Sequence, residues 1–304
     1  MIQQLSMREK HGCQTLETYS DSEQLRRMIA DDSYDGSSFT MGEIQQIGEI
    51  NRKINLAHAN EVSKPVCVRN SFYTRHIKRW LDICISLAAL IVFLPVNLVL
   101  WVATYLDVGK PVIFRQARTG KNKRTFEIIK FRNMTNETDE NGDLLPPEQR
   151  VTKWGRFVRR TSLDELLNFW LVLKGDMSII GPRPLHDFYT PWMSDRHAAR
   201  FAVRPGLDCP ALDARRETAS WQGRFENDVW YVENCSLALD FQLLFRLFLS
   251  VFCQNRRRER EVGESGTFIG YDAQGKAVSS QNIPENVIQY ILRNNHYVSP
   301  EEVR

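Results

Sequence analysis

The sequence predicts an α+β, mainly helical fold in which a re-entrant membrane helix and interfacial amphipathic helices surround a compact cytoplasmic unit with a small β-hairpin. Three observations favour this class. A long uncharged segment is interrupted by a proline, two β-branched or aromatic runs flank a turn-like stretch, and several other segments have the length and pattern of helices.

The composition is that of a largely globular protein with a local excess of positive charge. Of 304 residues, 42% are apolar and 25% are charged, and the net charge is +3. Residues 110–160, however, carry 13 Lys and Arg against 6 Asp and Glu. This stretch suits an anionic partner: a phosphate-bearing substrate, a lipid headgroup surface or nucleic acid. The membrane segment beside it makes lipid or phosphate the better partner, so we expect no nucleic acid.

The cysteines and the N-terminus indicate the compartment. Six cysteines are scattered without a CxxC pair, which argues against a disulfide framework or a zinc site and fits a reducing cytosol. The first 30 residues are polar and charged, so no secretory signal peptide is expected.

Residues 83–106 form an uncharged segment of 24 residues, which is long enough to cross a bilayer. Pro95 removes a helical hydrogen bond in its middle and predicts a break. Many kinked helices still span. Basic residues flank this segment on both sides, however, and both flanks therefore prefer the cytoplasm. We interpret the segment as a re-entrant helix-break-helix.

A second apolar stretch, residues 236–253, contains Asp240, Gln242 and Arg246. It is too short and too interrupted to span a bilayer comfortably. The pattern predicts an amphipathic helix that lies in the membrane interface or packs on the core.

Composition divides the chain into four segments. They are an N-terminal accessory or partly disordered extension (1–70), the re-entrant membrane helix (71–107), a catalytic unit (108–255) and a polar C-terminal extension (256–304). Within the third segment, VIFRQ and FEIIKF around TGKNK predict a hairpin. EQRVTKWGRFVRR and LDELLNFWLVLK predict helices, and GDMSIIGPRP predicts a loop.

Two adjacent carboxylates, Asp164 and Glu165, open the second of these helices. Ser162 and Glu165 have the spacing of a capping box, which would explain the pair without chemistry. Nearby Arg159 and Arg183 and the helix dipole predict depressed pKa values for both carboxyl groups. An ionised Asp can attack phosphorus while its neighbour holds Mg²⁺. Arg183 lies in a stiff GPRP loop and suits phosphate oxygens.

Taken together, these stretches resemble the bacterial sugar transferase family, the monotopic phosphoglycosyl transferases. The resemblance runs from about Tyr73 to Cys253, and the motifs occur in the order of the family. They are KRxxD (Lys78, Arg79 and Asp82), a helix broken at Pro95, PVIFRQARTG, FEIIKFRNM, RRTSLDEL, LKGDMSIIGPRP, RPG and DVWYVENCSLALD.

The resemblance implies a two-step transfer. Asp164 resembles the nucleophile that attacks the sugar-bearing phosphorus of a UDP-sugar and releases UMP, and Glu165 resembles the Mg²⁺ ligand. Undecaprenyl phosphate then accepts the sugar phosphate, as the first membrane step of exopolysaccharide, capsule, O-antigen or glycoprotein glycan assembly. Arg159 and Arg183 match family arginines around the substrate phosphates.

The resemblance also implies a place in the cell. The protein is expected in the bacterial cytoplasmic (inner) membrane, in contact with membrane lipids, with the catalytic unit on the cytoplasmic face. It allows a homodimer and downstream glycosyltransferases as partners.

The chain departs from the family pattern at two motifs. It reads DELLN where the family has DELPQ, and LDCPALDARR follows RPG where the family has TGWAQVNGR. Arg216 matches the arginine of that second motif if no gap intervenes. Two alternatives stay open: a glycosyltransferase that moves only the sugar, and a membrane-anchored interaction protein on the same fold with lost or altered catalysis.

Overall fold

The computed structural model describes Leu25, Ile29 and residues 39–139, 144–209, 220–252 and 266–293. Within them the chain is mainly helical, as the sequence predicts, and it has three two-stranded sheets where the sequence predicts a single hairpin. Helices α1 to α5 are Met41–Val62, Lys78–Val92, Leu94–Val108, Pro147–Arg150 and Lys153–Thr161. Helices α6 to α10 are Asn168–Lys174, Asp195–Ala198, Trp221–Asn234, Leu237–Phe252 and Glu285–Arg293. Strands β1 to β6 are Ile113–Thr119, Thr125–Phe131, Ser178–Ile180, Gly206–Asp208, Phe268–Tyr271 and Ala277–Ser279.

The predicted hairpin is confirmed. Strands β1 and β2 pair antiparallel, with Thr119 opposite Thr125 at the turn. Asn122 and Lys123 have φ values of 57° and 60° in this turn, and asparagine tolerates that left-handed region well. Ile128 and Phe131 of β2 are buried and face the core.

Helices α2 and α3 form a bent pair. No single helix in the described residues has the length and apolar composition to cross a bilayer. The pair has both when the π-helical turn at Tyr73–Ile77 is included with α2, and it is bent by 59°. The break falls at Phe93, and Pro95 is the second residue of α3. There its missing N–H leaves no helical hydrogen bond unmade.

The first helix of the pair is anchored to the segment that follows the Asp-Glu dyad. Arg79 donates hydrogen bonds to the carbonyls of Val172 and Leu173 in α6, at 2.6 and 2.8 Å. Asp82 is buried and accepts hydrogen bonds from the Ser178 hydroxyl and the Ile179 N–H, both at 3.0 Å. Through Arg79 and Asp82, the KRxxD motif therefore connects α2 to α6 and β3.

The second helix of the pair is anchored to the hairpin and α5. Leu100 packs in one core cluster with Phe131 and Val158. The Thr152 hydroxyl donates to Asp107 at 2.6 Å, and the Arg132 guanidinium donates to the Val108 carbonyl. Both outer ends of the bent pair thus lie on one compact body.

Helix α9 packs by one face and exposes apolar residues on another. Leu243 is buried in the core, as is Asp240, whose carboxylate accepts from Tyr73, Lys78 and Tyr231 at 2.5, 2.5 and 2.7 Å. The exposed apolar residues of this helix include Leu237, Phe241 and Phe245. The helix therefore packs on the core, as one of the two predicted arrangements requires, and its place in a membrane interface stays a prediction.

The chain segments on either side of the region that resembles the family pack against each other. Asn55 of α1 donates to the Tyr271 carbonyl at 2.9 Å, and Asn51 accepts from the Tyr271 N–H at 3.3 Å. Glu49 accepts from the Trp192 indole at 2.7 Å. Helix α1 thus joins the β5–β6 hairpin to the 187–192 turn. The predicted segment boundaries themselves stay a prediction.

Candidate active site

Asp164 and Glu165 lie in a short turn between two helices. Helix α5 ends at Thr161, Ser162 closes it with φ 57°, and a 3₁₀ turn spans Leu163–Glu165 before α6 begins at Asn168. Ser162 makes no side-chain capping hydrogen bond. The predicted capping box and the continuous helix from residue 163 are therefore wrong. A residue that closes one helix in the left-handed region cannot also have the extended backbone of an N-cap.

The loop that carries Arg183 is placed by a pair of short strands. Residues 178–180, predicted as loop, form β3, which pairs in parallel with β4. Gly181 and Gly206 stand so close that a Cβ on Gly206 would lie 2.2 Å from the Gly181 nitrogen. Glycine at both positions lets the GPRP and RPG motifs touch, and this contact directs the GPRP loop towards the dyad.

Asp164 is buried but poorly paired. Its side chain is 6% exposed, and the Asn133 amide donates to Oδ2 at a long 3.3 Å. Burial raises the pKa of Asp164 and the charge of Glu165 adds to the rise, whereas Lys130 and Arg159 oppose it. The predicted depression is wrong for this carboxyl group because desolvation outweighs the nearby cations.

Glu165 is held by two cations. Oε1 accepts from Lys130 Nζ at 2.6 Å and lies 3.6 Å from Arg183 Nη2. Burial acts to raise the pKa of Glu165, but Arg183 and Lys130 together lower it below its ordinary value. The predicted depression is confirmed for this group. The two neighbouring carboxyl groups therefore have pKa values that move in opposite directions.

Arg118 in β1 is a third cation that acts on Glu165, and with Lys130 and Arg183 it forms a cationic wall of the site. Burial and the charge of Arg183 lower the pKa of Arg118 to about 10, so it keeps its charge at neutral pH. Its Nη2 donates to Gln116 at 2.6 Å, while its buried Nε has no hydrogen-bond partner among the described residues. A buried guanidinium N–H without an acceptor is available to an anionic ligand.

Sequence reasoning missed Lys130 and Arg118 as site residues. Both lie inside motifs that it recognised, and the available signal was that each is a cation in a strand of the predicted hairpin. Arg159 lies exposed at the end of α5, and its charge reaches Asp164. Arg216 lies outside the described residues. The roles assigned to these side chains stay predictions.

The donor set fits a Mg²⁺ ion that shares its coordination with a substrate. Among the described residues, no group of three or more His, Cys, Asp or Glu side chains could form a protein cage for a metal. Mg²⁺ is often bound by one or two carboxylates together with substrate phosphates. Asp164 and Glu165 supply two adjacent carboxylates, and both ion pairs of Glu165 use Oε1.

Comparison with known proteins agrees with the motifs. The family model described as bacterial sugar transferase matches residues 73–254. The chain is 47% identical over 139 residues to an uncharacterized sugar transferase, EpsL, of Bacillus subtilis (strain 168), covering 46% of this chain and 69% of that protein.

Two further relatives have names that state more. A UDP-N-acetylgalactosamine-undecaprenyl-phosphate N-acetylgalactosaminephosphotransferase of Aeromonas hydrophila is 33% identical over 221 residues, covering 68% of this chain and 51% of that protein. The exopolysaccharide production protein PSS of Rhizobium leguminosarum bv. phaseoli is 34% identical over 192 residues, covering 57% of this chain and 94% of that protein. The chain thus spans about half the length of the Aeromonas relative.

Proposed function

The chain belongs to the bacterial sugar transferase family, and on that premise we propose that it transfers a sugar-1-phosphate from a UDP-sugar to undecaprenyl phosphate. The observation that carries this proposal is the pair of unlike carboxylates. Asp164 is buried without an ion pair among the described residues, whereas Glu165 is bound by two cations. Relatives from Aeromonas, Salmonella and Klebsiella carry the names of undecaprenyl-phosphate sugar phosphotransferases.

In the first step, an Asp164 oxygen attacks the sugar-bearing phosphorus of the UDP-sugar. The new bond joins the carboxylate oxygen to phosphorus, the bond to the bridging oxygen breaks, and UMP leaves with that oxygen. Burial removes water from the carboxylate, so its anion is poorly solvated and more reactive. The proton balance is simple because Asp164 reacts as the anion.

In the second step, a phosphate oxygen of undecaprenyl phosphate attacks the same phosphorus. The bond to Asp164 breaks, the carboxylate is regenerated, and a lipid diphosphate sugar is formed. Arg118, Lys130 and Arg183 form the cationic wall that would stabilise the phosphoryl oxygens in both steps. A Mg²⁺ ion held by Glu165 and the substrate would supply further positive charge. The charge of Arg159 acts on Asp164 from the end of α5, and its guanidinium would bind a phosphate oxygen of the substrate.

The bent helix pair supports a re-entrant membrane segment. Helices α2 and α3 have 15 residues each, so each is about 22 Å long, and a straight pair would exceed the bilayer core of about 30 Å. Both outer ends are anchored to one body and so lie on the same side. With the 59° bend, the break then reaches a depth of about 11 Å, within one leaflet.

The surface around this pair suits the membrane interface. Exposed apolar residues on α2, α5, α6 and α9 include Trp80, Phe157, Trp170 and Phe241. Aromatic side chains favour this depth of a bilayer. The site would then face the cytoplasmic side of the inner membrane, where a soluble UDP-sugar meets the lipid acceptor. This reaction would begin the assembly of a surface polysaccharide or other glycan.

The test is an assay of the detergent-solubilised full chain with undecaprenyl phosphate, Mg²⁺ and a panel of UDP-sugars. Release of UMP together with a lipid-linked diphosphate sugar is expected, and EDTA should abolish it. Release of UDP would indicate a glycosyltransferase that moves only the sugar. Absence of any product across the panel would favour an interaction protein that has lost catalysis.

A further inference from the structure

The end of α3 and the segment that leads into β1 line an open apolar groove of about 800 Å³. We propose that this acceptor groove binds the first isoprene units of the polyprenyl phosphate and places its phosphate near Lys110. The lining residues are Trp101, Val102, Tyr105, Lys110, Pro111 and Val112. The proposal rests on the proposed function, since it assigns a seat to the lipid substrate of that reaction.

The chemistry of the groove matches an anionic, single-chain isoprenoid. Val102 and the rings of Trp101 and Tyr105 provide apolar walls, and each is about half exposed, with relative accessibilities of 57%, 50% and 47%. Such surface gains free energy when an apolar chain covers it. Lys110 is exposed at the polar end of this surface, where its ammonium group complements a phosphate monoester.

The polar end of the groove is connected to the dyad by two consecutive residues. Arg132 donates its backbone N–H to the Val112 carbonyl at 2.9 Å, and its guanidinium donates to the Lys110 carbonyl at 3.4 Å. The next residue, Asn133, contacts the Asp164 carboxylate. These contacts join the polar end of the groove to a residue that contacts Asp164, which is the direction in which we propose that the lipid phosphate enters the site.

The expected depth in the membrane also agrees. Trp101 and Tyr105 lie in the last two turns of α3, where the second arm of the bent pair returns to the surface. The apolar walls then lie below the headgroups and Lys110 lies at their level. This arrangement suits a chain that remains in the bilayer while its phosphate enters the site.

The test compares two tryptophan substitutions on the same helix. Val102→Trp fills the groove, whereas Leu106→Trp alters a 77% exposed neighbour that does not line it. The first half-reaction is measured as UMP released without lipid, and the second as the KM for polyprenyl phosphate. Val102→Trp should raise that KM about tenfold, the cost of one or two unburied methylenes, and by much more than it changes UMP release. Leu106→Trp should change neither.

A diazirine-bearing polyprenyl phosphate locates the chain directly. Cross-links to residues 101–105 and 110–112 that excess phosphatidylglycerol does not suppress would support the assignment. Cross-links elsewhere, suppression by phosphatidylglycerol, or equal KM values for the two variants would overturn it. Absence of UMP release from the unmodified chain would instead contradict the proposed function, so the two failures are distinguishable.

Discussion

Two regions of this molecule bury glutamate or aspartate beside cations, and they treat these carboxylates in opposite ways. Glu226 on α8 accepts from both Arg196 Nε and Nη2 at 2.8 and 2.5 Å and from His197 at 3.1 Å. Burial acts to raise the pKa of Glu226, but these hydrogen bonds lower it to about 2. Asp164 is more deeply buried, yet its described hydrogen bonds come from the Asn133 amide at a long 3.3 Å and from its own backbone.

The difference separates a structural carboxylate from one available for reaction. Each oxygen of Glu226 is engaged in a geometry that Arg–carboxylate pairs favour, so replacing it should disturb the fold. Asp164 keeps its burial without such compensation, and its pKa rises. A buried carboxyl group whose pKa is shifted in this way is typical of functional sites. The following predictions test this comparison, from the largest expected effect to the smallest.

Asp164→Asn should reduce the rate of UMP release by at least about 1,000-fold, because the amide cannot form the acyl phosphate. The free energy of unfolding should stay the same or rise slightly, since a poorly paired buried charge is removed. Kinetics and thermal unfolding in the same detergent measure both quantities. Full activity in this variant would contradict the assignment of the nucleophile.

Arg183→Ala should reduce kcat/KM by about 100-fold, because the guanidinium that pairs with Glu165, and that we propose to bind the substrate phosphates, is lost. Arg115→Ala is the matched control. Arg115 is an exposed arginine on the hairpin that pairs with Glu127 at 3.2 Å, and a surface pair of this kind contributes little. Equal losses in both variants would show a general effect of positive charge instead of a specific contact.

Asp82→Asn should destabilise the protein by about 2–4 kcal/mol, because a buried carboxylate that accepts two hydrogen bonds is replaced by an amide. Like Glu226, Asp82 is a carboxylate that accepts more than one hydrogen bond from neighbouring elements. Chemical denaturation in detergent measures the loss. If the variant kept full stability but lost UMP release, Asp82 would serve the reaction, as we propose for Asp164, and not the fold.

Glu226→Gln should destabilise the protein by about 2–3 kcal/mol near neutral pH and flatten its acid dependence. The pKa of Glu226 is depressed in the folded state, so its contribution is present above about pH 4.5 and is lost as pH falls towards 2. Glu61→Gln is the control, since the Glu61 side chain is 83% exposed. Unfolding curves at several pH values should differ between the variants only in this acid range.

The structure brings several of the recognised motifs together around Asp164 and Glu165, but some local predictions made from these motifs are wrong. The break in the apolar segment, the hairpin and the Asp-Glu pair all follow from signals within a few residues. The capping box failed because Ser162 closes the preceding helix. The strand at 178–180 was missed because its partner, β4, lies almost 30 residues later in the chain.

By itself, the sequence determined the broken apolar segment, the hairpin and the residues that we propose to react, since periodicity, backbone restriction and residue type act locally. Tertiary structure alone decided what surrounds them. Lys130 reaches Glu165 across 35 positions, and α1 meets β5 across about 220. Burial and contacts between residues so far apart in the chain decide which carboxylate accepts several hydrogen bonds and which accepts few. The reason is that desolvation and hydrogen bonding depend on the whole environment of a group.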